Sequence, residues 1–294
     1  MPHDPDFLLT LVIATFGDQG TLAACLRSLN DQQGAPAFEI IIVDQNDDDR
    51  VAALPGLFPN LSIRHERVEF RGASRARNHG AGLARGRWLG FPDDDCELRP
   101  DALAEFDRIR RGAAKLRIIT GQTVDESGQP NVLRWGAVAG AFTPATMFRS
   151  VTEATLFVES RAYASVGGFD ERFGPGTRFP AAEGVELVVR LFAACDEDCA
   201  YYSPTIRMQH PTKIPPYTAW AAKRFHAYAI GDGALVAKSP SPHVLRWGAR
   251  TLVSSAVQML TLHPWRSLSF AARFAGLVRG FARYKLAARE SRQR

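Results

Sequence analysis

With 294 residues, the chain has room for one large α/β domain with appendages, or for two small domains. Hydrophobic residues at 46% and charged residues at 23% make an ordinary globular mix, which excludes a disordered chain. The net charge of +5 is unevenly spread: residues 243–294 hold ten Lys/Arg against one acid, Glu290, so the remainder is net acidic. That distribution argues against a nucleic-acid partner, whose reader carries positive charge across the binding face itself.

In chain order, "MPHDPDFLLT" has no basic n-region, so the expectation is a cytoplasmic chain without a secretory signal. "FLLTLVIATF" is continuous, apolar and β-branched, which predicts a strand buried on both faces. Leu22, Cys25, Leu26 and Leu29 then follow i, i+3, i+4, i+7 spacing and predict a helix. "FEIIIVDQNDDD" predicts a second buried strand that ends in acids, and "LSIRHE" a shorter third. "GASRARNHGAGLARG" predicts a helix of small residues ending at Gly86. "RWLGF" predicts a strand with Asp93, Asp94 and Asp95 directly behind it, and "RPDALAEFDRIRRG" a helix with Leu103, Phe106 and Ile109 in phase. The alternation predicts a largely parallel sheet with helices on its faces. Ligands bind such sheets beyond the carboxyl ends of the strands. "ATFGDQG", Asp44 and Asp93 to Asp95 should therefore converge on one crevice.

From Leu116 the pattern changes. "LRIITGQTVDE" predicts a strand, and "RWGAVAGAFTPATMF" carries few helical signals. A short helix, a loop "FGPGTRF" with glycines on both sides of Pro175, and a helix from about Ala182 to Ala194 follow. "AYYSP" and "TIRMQHP" predict two short strands of a smaller, mixed extension. Glycines in the loop suggest a segment able to move, and Trp135 suits either stacking on a ligand or the core. Near the end, Leu245, Ala249, Leu252, Val253, Ala256 and Leu260 align on one helical face, and Phe270, Phe274, Leu277, Val278 and Phe281 on another. The run "TLVSSAVQMLTL" is too short to span a bilayer. Two readings stay open for residues 243–294: packing on the body or in a homodimer, and peripheral contact with an anionic membrane at its cytoplasmic face. The four cysteines read as reduced thiols, and the Cys195 to Cys199 spacing is not that of a common zinc site.

Three adjacent aspartates repel one another, and a hard divalent cation relieves that repulsion. Mn²⁺ or Mg²⁺ takes carboxylate oxygens, usually keeps waters and phosphates, and stabilises a leaving diphosphate. The bland alternative is a solvated acidic turn. The surrounding "GASRARNHGAGLARGRWLGFPDDDCELRPDAL" resembles the donor-site segment of family 2 glycosyltransferases, with Arg77-Asn78, Gly80, Gly86 and Asp93-x-Asp95 in the expected places. "LVIATFGDQGTLAACLRSL", "EIIIVDQNDDD", "VGGFDERF" and "TIRMQHP" extend the resemblance over roughly Leu8 to His210.

The resemblance implies an α/β GT-A fold with a mostly parallel central sheet, to which the aligned apolar faces near the end add C-terminal amphipathic helices. The chain then divides into a donor half over 1–115 and an acceptor half over 116–215, followed by a basic helical extension over 216–294. It implies inverting transfer from a nucleotide-diphosphate sugar to a glycan or lipid-linked acceptor in cell-surface polysaccharide synthesis. Carried over, Thr15 and Phe16 line the nucleotide pocket, Asp44 meets the base, and Arg77 lies near the base or phosphates. Asp93 faces the ribose or the metal, Asp94 hydrogen-bonds the sugar, and Asp95 and His210 bind the metal; a surface histidine ending a strand is the plain alternative for His210. The base of an inverting transfer is usually the Asp of a Glu-Asp pair opening a helix. Here the helix opens "AAEGVEL": Glu183 keeps the first acid, Gly184 replaces the Asp, and Glu186 holds a later acidic place. Glu183 or Glu186 then serves as base, or the protein binds a nucleotide sugar without turning it over. Glu186 also precedes Arg190 by four residues, the spacing of a helical ion pair. A phosphatase of the Asp-x-Asp type would need a hydroxyl residue where Glu97 stands, and neither G-x-G-x-x-G nor a P-loop is present.

Overall fold

Buried apolar runs become strands and the small-residue and i, i+4 runs become helices in the computed structural model, which describes residues 6–17, 19–133, 135–195, 198–212 and 214–290. The start of "MPHDPDFLLT", Asp18 of "ATFGDQG", Arg134 of the "RWGAVAGAF" run, Asp196 and Glu197 between the paired cysteines, and the last four residues of the basic tail lie outside the described residues. In chain order the elements are β1 (Leu9–Thr15), α1 (Gln19–Asn30), β2 (Phe38–Asp44), β3 (Ile63–Arg67), α2 (Ala73–Leu83), β4 (Trp88–Gly90), β5 (Glu97–Leu98) and α3 (Ala102–Gly112). They continue with β6 (Ile118–Val124), β7 (Gly140–Ala141), β8 (Leu156–Glu159), α4 (Ser160–Ser165), α5 (Glu183–Ala194), β9 (Ala200–Gln209), α6 (Ala219–Lys238), α7 (Pro242–Gln258) and α8 (Pro264–Glu290). The chain divides into two compact units, Met1–Phe169 with Leu187–Thr212, and Asp170–Glu186 with Lys213–Arg294.

The first unit holds the sheet, in the order β3-β2-β1-β4-β8-β6-β9-β5, with β7 pairing β9. Strands β3, β2, β1 and β4 run parallel, β8 is antiparallel to both neighbours, and β6 and β9 are parallel. The chain leaves β1 toward β2 and β3, then returns to β4 on the other side of β1. That reversal is the topological switch point where a crevice opens beyond the strand ends. Leu9, Leu11, Ile13, Ile40 and Ile42 pack with Leu22, Leu26, Leu29 and Phe106 on one face. Their alternates meet α2 on the other face, which is why both strands read as unbroken apolar runs. Gly80 of α2 is required there: a Cβ would lie 2.4 Å from Val12 Cγ1.

Two features differ from the sequence reading. "AYYSP" and "TIRMQHP" form one strand, β9, because its register against β6 shifts between Thr120 and Gln122 and accommodates Pro204. The mixed extension lies beside the first half as further strands of one sheet, β6, β8 and β9. Strand β8, "LFVE", lacks flanking turn signals and went unpredicted, as did two-residue β5.

The second unit holds the first turn of α5 and helices α6, α7 and α8. Helix α6 has no apolar stripe of large residues. Its buried face is mostly small, with Ala229, Gly231, Gly233, Ala234 and Ala237 beside Ile230 and Leu235, and Gly233 meets the Leu277 carbonyl of α8, where a Cβ would come within 2.0 Å. A helix packed through small residues leaves a weak periodic signal, so α6 escaped notice. All four cysteines are free thiols.

Candidate active site

The segments after β1, β2 and β4 do converge within the first unit. Gln45 N donates to Thr15 O at 3.0 Å, Gly17 N donates to Asn46 Oδ1 at 3.0 Å, and Thr15 Oγ1 donates to Asp94 Oδ2 at 2.6 Å. Asp44 closes β2 and is fully buried. Its Oδ1 accepts from the Asn46 amide and side chain at 2.9 and 2.8 Å, and its Oδ2 lies 3.1 Å from His65 Nε2. Asp44 therefore caps the turn that carries Asn46 back to Gly17. Phe16 stands 62% exposed at the mouth, with the Arg71 guanidinium carbon 4.2 Å from its ring centroid. Neither Asn46 nor His65 was singled out from sequence; each is separated in sequence from the residue it braces.

Each aspartate of the triplet has its own partner. Arg77, buried on α2, donates from Nη2 to Asp93 Oδ1 at 2.7 Å. Asp94 turns away to Thr15. Burial pushes its carboxyl up to about 6, and the charges of Asp93 and Asp95 add to that, while the Thr15 hydroxyl and Phe16 amide pull it back. Asp95 Oδ1 lies 3.8 Å from His210 Nε2. His210 is placed there because β9 runs alongside β6, with His210 N donating to Val124 O at 2.9 Å. The repulsion within the run is thus divided among a guanidinium, a hydroxyl and an imidazole.

One ligand atom each from Asp93, Asp95, Cys96 and His210 lies within 4.8 Å of the others. His210 Nδ1 is buried and has no hydrogen-bond partner. Two carboxylates and an imidazole suit Mn²⁺ or Mg²⁺, so the residues fit the expected cation. Cys96 joins the cluster unforeseen, because the turn in which Cys96 N donates to Asp93 O directs its thiol inward. Burial pushes that thiol well above the ordinary range, and the carboxylates add to it.

Asn78, next to Arg77, has a different task. Its Oδ1 accepts from Tyr163 Oη at 2.6 Å and from Phe169 N at 2.9 Å, and its Nδ2 donates to Phe169 O at 2.9 Å. It ties α2 to the "VGGF" corner. Trp135 lies flat on Tyr202, 6.1 Å between centroids, and donates to Asn131 O; it fills the core.

Glu183 and Glu186 belong to the second unit and open α5. Both are buried. Glu186 bonds Lys238 of α6, and Lys238 Nζ also donates to Asp170 Oδ2 at 2.6 Å. Arg190 Nη1 donates to the Val166 carbonyl at 2.5 Å. Asp170 is held well below the carboxylate range by Arg172 and Lys238, against its burial. The "FGPGTRF" loop is anchored: Thr177 Oγ1 donates to Arg172 O and Gly174 O, and Phe173 and Phe179 are buried at its base.

The family model described as "Glycosyl transferase family 2" matches residues 10–132. Among curated proteins, the succinoglycan biosynthesis protein ExoO of Rhizobium meliloti is 34% identical over 123 residues, 41% of this chain and 35% of that protein. An uncharacterized glycosyltransferase of Haemophilus influenzae is 36% identical over 95 residues, 32% of this chain and 31% of that protein. The matched segment spans about a third of the length of these curated relatives. Among solved structures, S. aureus TarS 1-349 in complex with UDP-GlcNAc aligns with TM-score 0.60 at 12% identity, over 96% of this chain and 92% of that one. Mannosyltransferase PcManGT from Pyrobaculum calidifontis, in complex with GDP-Man and Mn2+, aligns with TM-score 0.62 at 15% identity, over 96% and 88%. At such identities the likeness shows a shared GT-A fold.

Proposed function

Because residues 10–132 match the glycosyl transferase family 2 model, we propose that the chain belongs to that family and is an inverting glycosyltransferase. It takes a sugar from a nucleotide-diphosphate donor and passes it to a glycan or lipid-linked acceptor in cell-surface polysaccharide synthesis. The observation that carries this reading is the crevice at the switch point, where Asp93, Asp95 and His210 surround a possible cation position beside buried Arg77.

In this reading Asp93, Asp95 and His210 hold Mn²⁺ or Mg²⁺. When bound, the cation supplies positive charge for the diphosphate leaving group. Arg77 adds a fixed guanidinium on the same side. Asp44, Thr15 and Phe16 shape the nucleotide pocket, with Phe16 a ring available for stacking. Asp94 holds the triplet loop to β1 through Thr15, while its outer neighbours Asp93 and Asp95 face Arg77 and His210. Glu183 accepts the proton as the acceptor hydroxyl attacks the anomeric carbon. The bond from that carbon to the diphosphate oxygen breaks, and configuration inverts. Glu183 keeps the first acid of the pair that the resemblance expects, at the start of α5, while Glu186 is bonded to Lys238. The basic, apolar tail supports a peripheral seat at the cytoplasmic membrane face. Gly184, standing where the resemblance expects an Asp, favours the second reading, a nucleotide-sugar-binding protein that performs no transfer.

A thermal-shift screen of UDP, GDP, dTDP and CMP with and without Mn²⁺ tests the donor half. One diphosphate should raise Tm only with metal, and Asp95→Asn should remove the effect. Glu183→Gln should then lower transfer at least about 100-fold while nucleotide binding persists. Undiminished transfer would move the base elsewhere; metal-dependent binding with no turnover in the unaltered chain would establish the second reading.

A further inference from the structure

The turn that delivers Glu183 is unusual. Ala182, immediately before it, has φ 71, the left-handed region that alanine seldom adopts. Its carbonyl accepts the first bond of α5, from Glu186 N at 2.9 Å. The Ala182 conformation therefore sets the direction from which α5 leaves, and with it the placement of Glu183 at the first helical position. A strained residue of this kind persists only where its surroundings hold it.

Helix α6 does the holding, at two points on one face. At Gly231 its backbone lies directly on the Ala181 peptide: a Cβ there would stand 2.4 Å from Ala181 O and 2.8 Å from Ala181 N. Seven residues on, and so on the same face, Lys238 bonds Glu186 in the first turn of α5 and donates to Asp170. Asp170 in turn accepts from Arg172 Nη2 at 2.7 Å, which fixes the start of the loop leading back to Ala181. All these groups belong to the second unit. In this pair Glu186 is fully buried and Lys238 half-buried, so removing the lysine leaves a lone buried carboxylate.

We propose that Gly231 and Lys238 of α6 are positioning residues for Glu183, holding the Ala181–Ala182 turn in its left-handed form so that the carboxylate is presented for proton transfer. This rests on the reading of Glu183 as the base. It assigns a role in the reaction to a helix that lies outside the 10–132 family match.

The test uses the full chain with Mn²⁺ and three probes, UDP-glucose, UDP-N-acetylglucosamine and GDP-mannose, read as release of nucleoside diphosphate. Lys238→Met should lower kcat at least tenfold, with donor KM within twofold, and Lys238→Arg should recover most of it. Gly231→Ala keeps every charge, so it covers the case in which Lys238→Met does not fold. It should show the same split between kcat and KM. Hydrogen exchange should quicken at the 182–186 amides in both variants and stay unchanged in β1 and β2. Unchanged kcat in either folded variant, no rescue by Lys238→Arg, or unchanged exchange at 182–186 would overturn the proposal. Undiminished release by Glu183→Gln, or no release from any probe by the unaltered chain, would instead overturn the reading of Glu183, whatever the exchange data show.

Discussion

Asp94 is the residue on which the electrostatics of the triplet are most exposed to measurement. Its carboxyl is raised to about 6 from an ordinary 3.8, chiefly by burial. The folded chain therefore keeps this proton to higher pH than the unfolded chain does. Stability falls as pH rises from about 4 to about 6, and the full cost is present above that window. Asparagine has the same shape, keeps an oxygen for the Thr15 hydroxyl and carries no charge. In the presence of a chelator, Asp94→Asn should stabilise the protein by about 1–3 kcal/mol near pH 7.5 and by almost nothing near pH 4. Urea unfolding at the two pH values measures it. An equal gain at both would mean that the charge is not the cause. The neighbours differ in kind: Asp93 and Asp95 face Arg77 and His210, and the sequence alone could not say which of three identical residues turned inward. That depends on Thr15, which is far away along the chain.

At the scale of elements, α2 joins the donor crevice to the rest of the first unit through adjacent residues. Arg77 serves the aspartates, and Asn78 ties down the Phe169 corner with three hydrogen bonds. Asn78→Ala leaves the Phe169 amide and carbonyl and the Tyr163 hydroxyl without that partner. A loss of about 2–4 kcal/mol should follow, read as a lower urea midpoint. A loss below about 1 kcal/mol would show that water replaces the amide. The elements legible in the sequence were those with strong local patterns: β1 and β2 as unbroken β-branched runs, α1 and α3 as clean apolar faces. The convergence of Thr15, Asp44 and Asp93 to Asp95 followed from topology alone. What stayed hidden depends on partners distant in the chain. Strand β8 is only four residues long, Pro204 masks the continuity of β9, and the buried face of α6 is mostly alanine and glycine. Lys238 could not be linked to Glu186 for the same reason. The spacing suggested Arg190, four residues along the same helix, whereas Lys238 lies on another helix.

Across the whole molecule, charge is segregated. No acid occurs between Asp232 and Glu290, while Lys238, Arg246, Arg250, Arg266, Arg273, Arg279, Arg283, Lys285 and Arg289 all fall in that interval. Within the second unit, Val253, Val257, Leu260, Leu262, Trp265 and Leu268 stand exposed around the α7–α8 connection, Leu262 completely. No helix among the described residues is long and apolar enough to cross a membrane. Exposed apolar side chains among cations suit an anionic lipid surface, where each Lys or Arg near the headgroups contributes about 1 kcal/mol and the apolar groups enter the interface. The sequence suggests removing 243–294 to test this, but α8 packs backbone to backbone on α6 at Gly233 and Gly280. Truncation would therefore disturb the helix that grips the Ala181 turn. Leu260→Ser with Leu262→Ser changes only exposed side chains. The unaltered chain should float with phosphatidylglycerol vesicles and not with phosphatidylcholine vesicles, and the double variant should lose most of that association at an unchanged Tm. Raising the salt to about 0.5 M should release the unaltered chain, because screening shortens the reach of the cations. Flotation that is indifferent to lipid charge and to both substitutions would remove the membrane reading. A chain that runs as a dimer by light scattering, and as a monomer once Leu260 and Leu262 are changed, would assign the same surface to self-association.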